Sequence, residues 1–154
     1  HSDDKIGHLK TTFPNTRRHV HAWNGGGLLL DGVSPANQLG MNGAAFCQFQ
    51  ILQSLKVKPK IRQIFLETHF PCAVALAAGM SVRQQIESML HSKRHLKERA
   101  RHELHMDVKI GLLFHLYLDG MVESEARRMY HYSLSPMERF LQEYQGDASS
   151  LMIA

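Results

Sequence analysis

Val108-Lys109-Ile110-Gly111-Leu112-Leu113-Phe114-His115-Leu116-Tyr117-Leu118-Asp119-Gly120 is a nearly unbroken apolar run, and the class of the whole chain hangs on how it folds. Apolar residues fall on every side of it if it is wound at 3.6 residues per turn. A helix with that pattern is buried on most sides. Gly120 suits the left-handed position that closes a helix. Read as a helix, the segment places Leu113 and Leu116 in the core and makes its surroundings all-α.

Upstream the punctuation agrees with helices. Ser81 followed by Gln84 is a capping box, in which each side chain satisfies a backbone N–H of the first turn. The helix it opens places Val82, Ile86, Leu90, Leu96, Ala100 and Leu104 on one stripe. Lys93, Arg94, Lys97, Glu98, Arg99 and Arg101 fall on the other faces. Ala73 to Ala78 reads as a small-residue helix closed by Gly79. Ile61, Ile64, Phe65 and His69 read as a short helix after the basic turn Lys56-Val57-Lys58-Pro59-Lys60. Asn42 can cap a helix through about Leu55 that carries Phe46, Phe49 and Ile51. Downstream, a helix from about Glu123 to Tyr132 is followed by Ser135-Pro136-Met137-Glu138, which orders a cap, a first-turn proline and a capping-box glutamate. The expectation is about seven or eight helices joined by short turns, an array of antiparallel helical hairpins over residues 41–154. Helix should fill about 60% or more of residues 41–146, with no sheet of three or more strands.

Residues 1–40 form an irregular N-terminal arm. Gly25, Gly26 and Gly27 read as a flexible break, and Leu28-Leu29-Leu30 as an apolar strip packed on a helix. Three glycines with no following Lys-Ser or Lys-Thr do not make a phosphate loop. Arg17, Arg18, Trp23, Leu28, Leu29 and Leu30 are the candidate partner-binding residues, because Trp and Arg are enriched at interface hot spots. The other reading is an arm that packs back on its own helices.

The chain has 154 residues, 44% hydrophobic and 21% charged. That is an ordinary globular composition, enough for one core. The apolar runs fall short of the roughly 18 residues that span a bilayer. Eighteen Lys and Arg against 14 Asp and Glu give a formal charge of +4, too mild for a surface built to hold nucleic acid. Cys47 and Cys72 sit in apolar surroundings and read as buried free thiols. The start at His1 rather than Met reads as a processed or trimmed product.

The chemistry-bearing residues point away from catalysis. His91 and His95 are spaced i, i+4, and His102 and His105 i, i+3. Ser92 stands where a zinc protease needs Glu, so the histidines read as a solvated face. The carboxylates lie among Lys and Arg, as intrahelical ion pairs such as Glu123 with Arg127. There is no nucleophile elbow. No catalytic, cofactor or metal residues are assigned. Val74 to Ser81 resembles the first helix and turn of a helix-turn-helix, with Ala75 four before Gly79, but Gln85 occupies the apolar position of its second helix.

Leu112-Leu113-Phe114-His115-Leu116-Tyr117-Leu118-Asp119-Gly120-Met121-Val122-Glu123-Ser124-Glu125-Ala126-Arg127-Arg128-Met129-Tyr130 resembles one unit of a pentatricopeptide repeat, with Ser133-Leu134-Ser135-Pro136 as its link. It departs by one extra residue between Gly120 and Ala126 and by a shorter link. Gly79-Met80-Ser81-Val82 with Met89-Leu90 is a weaker second copy. The resemblance implies a non-enzymatic helical subunit docking on a larger mitochondrial assembly, on the matrix side. In length and helical make-up the chain is similar to the small pentatricopeptide-type subunits on the catalytic head of euglenozoan mitochondrial ATP synthase. Its implied partners are protein subunits, with no membrane span. The alternatives are an organellar RNA-binding helical-repeat protein and a helix-turn-helix DNA-binding regulator.

Overall fold

The computed structural model describes residues 11, 19–38, 42–61, 63–70, 72–116 and 128–132, with 115, 116 and 128–132 as backbone. Three helices are delimited: α1 (Ala44–Val57), α2 (Ala73–Ala77) and α3 (Val82–Leu104). Three strands join them: β1 (Gln63–Phe70), β2 (Lys109–Leu116) and β3 (Arg128–Tyr132). The sheet order is β1-β2-β3. β1 and β2 pair in parallel from Gln63↔Lys109 to Phe70↔Leu116. β2 and β3 pair antiparallel from Leu112↔Tyr132 to Leu116↔Arg128. Parallel neighbours need a long crossover, and here α2 and α3 supply it.

The all-α array of seven or eight helices is therefore corrected to a mixed α/β fold with a three-stranded sheet. The apolar run of residues 109–116 is the middle strand. Ile110, Leu112 and Phe114 face the helices and are buried, and Leu113, pointing the other way, is buried too. A strand covered on both faces reads as a continuous apolar run, with no alternation to separate it from a buried helix. In β1 the buried positions are Leu66, Thr68 and Phe70, alternating with half-buried Phe65, Glu67 and His69. The spacing of Ile61, Ile64, Phe65 and His69 imitates a helical face by coincidence. Residues 112–116 and 128–132 are strands, so the described parts of the supposed repeat hairpin are not helices. The cap at Ser135 and the final helix lie outside the described residues.

Helix ends follow the local chemistry. The Ser81 hydroxyl accepts from the Gln84 N–H at 3.2 Å, and the Gln84 side chain accepts from the Ser81 N–H at 2.8 Å. Asn42 Oδ1 accepts from the Ala44 N–H at 3.0 Å at the start of α1. Gly79 takes φ +64° after α2, and His105 takes φ +53° after α3.

One core joins Val82, Ile86, Met89, Leu96 and Ala100 of α3 with Leu66, Phe70, Ile110, Leu112 and Phe114 of the sheet and Cys47, Ile51, Leu52 and Leu55 of α1. Leu28 and Leu30, on a 3-10 turn over Gly26–Leu30, complete it. The glycines before them are not a flexible break. Gly26 has φ +55°, and a Cβ there would collide with the Glu67 carbonyl oxygen of β1. A Cβ on Gly27 would stand 3.2 Å from Leu66 Cβ. The missing side chains let an irregular backbone lie directly on the sheet. Backbone so placed must have its carbonyls met. Ser92 donates to Gly27 O at 3.0 Å, Asn37 to Leu29 O at 2.9 Å and Asp31 O at 2.8 Å, and Gln48 to Leu30 O at 2.6 Å.

Candidate functional site

α1 is apolar on two opposite sides. Its inner side carries Ala44, Cys47, Ile51, Leu52 and Leu55. On its outer side Phe46 is 61% exposed, Phe49 53% and Val57 73%, with Val20 of the preceding segment at 57%. Phe46, Phe49, Gln53 and Val57 recur at i, i+3, i+7 and i+11, which sets them on one face. Single exposed apolar residues are ordinary, whereas here two phenylalanines are held in water on one helix face.

Beside this face runs an open groove of about 520 Å³, between α1 and residues 19–21. Its far wall is built from rings. His21 stacks on Trp23 with centroids 5.3 Å apart, and His19 meets His21 edge-on at 4.7 Å. Side-chain contacts bolt this wall to α1. His21 Nε2 lies 3.0 Å from Ser54 Oγ, and Lys58 Nζ donates to His19 Nδ1 at 2.8 Å. Burial first, then the nearby His19 and Lys58, holds the His21 pKa below its ordinary range. Lys56, Lys58 and Lys60 are exposed at the C-terminal end of α1 and give that end a positive charge.

A second cluster ties α3 to the irregular segment. Asp31 is buried, with one oxygen 2.6 Å from His91 Nδ1 and the other accepting from Ser88 Oγ at 2.9 Å. In a serine–histidine–aspartate relay the hydroxyl is bonded to the imidazole and the imidazole to the carboxylate. Here Ser88 gives its hydrogen to the carboxylate and is itself buried. The three residues therefore do not form a nucleophile–base–acid relay. Arg99 Nη1 donates to Gln48 Oε1 at 2.8 Å, which fixes α3 against α1. Among the described residues no three His, Cys, Asp or Glu side chains gather as a metal cage.

Of the residues singled out for partner binding, Arg17 and Arg18 lie outside the described residues. Leu28 and Leu30 are buried in the core, and Leu29 is half-buried against it. Trp23 is also half-buried, packed on the core and stacked on His21. Their apolar surface is used largely within the chain. The sequence signal that Phe46, Phe49 and Val57 face outward is their position opposite Ile51, Leu52 and Leu55 on the helical wheel of α1. Cys47 and Cys72 are buried free thiols, and burial pushes the Cys47 thiol pKa up. No described helix is long and apolar enough to cross a membrane. No protein-family model, curated protein or solved structure matches the chain.

Proposed function

We propose that the chain is a non-enzymatic protein-binding module that docks on its partner through the outer face of α1. The carrying observation is the pair Phe46 and Phe49, both more than half exposed and continuous with Val57 and Val20. Lys56, Lys58 and Lys60 at one end of that face define the chemistry of the occupant. It is a partner-protein segment with apolar side chains for the phenylalanines and Asp or Glu at the lysine end. Burying aromatics at the centre while charges steer from the rim is how such interfaces divide affinity from orientation. The Ser88 hydroxyl is buried and bonded to Asp31 rather than to His91, so it is not placed to attack a substrate, which supports the non-enzymatic half of the reading.

The test places a photo-reactive phenylalanine analogue at position 49 and, as a control, at position 94 on α3. The expected result is one protein adduct from position 49. Its cross-linked segment carries acidic beside apolar residues, and it is lost in the Lys56→Glu, Lys58→Glu, Lys60→Glu variant. Equal adducts from both positions, adducts between copies of this chain, nucleic-acid adducts, or none at position 49 overturn the reading.

A further inference from the structure

We infer that the outward face of α3 binds one divalent transition-metal ion through His91 and His95, with Asp31 orienting His91. His91 Nδ1 lies 2.6 Å from Asp31 Oδ1. A carboxylate only accepts, so Nδ1 carries the hydrogen and Nε2 the free lone pair. Asp31 does not wander: Ser88 Oγ donates to it at 2.9 Å and the Val33 N–H at 3.2 Å, and its side chain is only 5% exposed. The His91 side chain remains 45% exposed. Its ring is thus held by the Nδ1 edge while the side chain as a whole stays accessible.

His95 stands one turn further along the same face, where side chains four apart are neighbours. The two ring centroids are 6.3 Å apart at an interplanar angle of 79°. An ion bridging the two rings would stand about 2.0–2.1 Å from one nitrogen of each. A buried carboxylate accepting from Nδ1–H is the arrangement that orients metal-ligating histidines. Glu87, four residues before His91, and Glu98, three after His95, are exposed on the same face and add negative charge. The site is a two-histidine chelate whose remaining positions are filled by water. Imidazole ligands select zinc, nickel and copper over magnesium and calcium.

The competing account is that Asp31 and His91 only tie the irregular segment to α3. His95 separates the two, because it has no part in that tie. Calorimetric titration of the full chain with zinc chloride should give one ion per chain. His95→Gln, which leaves the Asp31–His91 contact in place, should weaken binding on the order of tenfold or more, and Asp31→Asn by about 10–100-fold. His102→Gln and His19→Gln should bind as the parent chain does, and magnesium chloride should give no binding heat. Should Asp31→Asn fail to fold, His95→Gln still decides. No zinc binding, unchanged binding by His95→Gln, or binding abolished by His102→Gln or His19→Gln overturns the inference. None of these outcomes touches the α1 docking face.

Discussion

Gly26 shows how far one absent side chain shapes the molecule. Its φ of +55° disfavours any L side chain, and its Cα faces the Glu67 carbonyl of β1. Gly26→Ala must both adopt strained backbone and push the 3-10 turn off the sheet. The expected loss is about 2–4 kcal/mol of unfolding free energy, read from a denaturant midpoint. His21 acts through its proton. Its folded pKa is lowered, so below the ordinary value near 6.5 the unfolded chain binds the proton that the folded chain resists. Its contribution to stability is fully present above that value and falls as pH drops through the window beneath it. His21→Gln should therefore flatten the decline in thermal midpoint between about pH 7 and 5.5. An unchanged slope would place the acid sensitivity elsewhere.

Helix ends were legible because their chemistry is local. The Ser81–Gln84 box and the glycine after α2 are fixed by neighbours in sequence, and both are found where the residues place them. Ser81→Ala should cost about 1 kcal/mol, because a first-turn N–H loses its acceptor. Ser81→Asp should restore most of it. The strands were illegible for a matching reason. Partners for β2 come from β1, a whole crossover away, and from β3, so nothing inside residues 109–116 announces the pairing. What survives the change of element is burial: Leu113 is 1% exposed, and Leu113→Ala should still cost about 2–5 kcal/mol. Leu116 lies in β2, where only its backbone is described. The candidate sites divide in the same way. The i, i+4 spacing of His91 and His95 is written in the sequence, whereas the carboxylate that orients His91 is 60 positions away. The outer face of α1 was hidden by apolar residues on both sides of the helix, which leave no single stripe to read.

Across the whole molecule, apolar side chains that look alike in sequence divide into two kinds. Leu28 and Leu30 belong to an irregular segment, yet they are 0% and 1% exposed and share one core with α1, α3 and the sheet. Phe46 and Phe49 belong to a regular helix, yet they face water. Placement in an arm or in a helix therefore does not decide which residues hold the fold and which meet a partner; burial does. The consequence is a crossed pair of outcomes. Leu28→Ala and Leu30→Ala should each lower stability by about 2–5 kcal/mol, since each leaves a cavity in the core. Phe46→Ser and Phe49→Ser remove side chains already in solvent and should change stability by no more than about 0.5 kcal/mol. They should nevertheless abolish the position-specific adduct that defines docking, scored with the photo-reactive group moved to position 53. Denaturant unfolding of the four variants beside that cross-linking assay reads both axes at once. If the phenylalanine variants unfold early, α1 has its outer face covered by the chain itself, and the docking surface must be sought elsewhere.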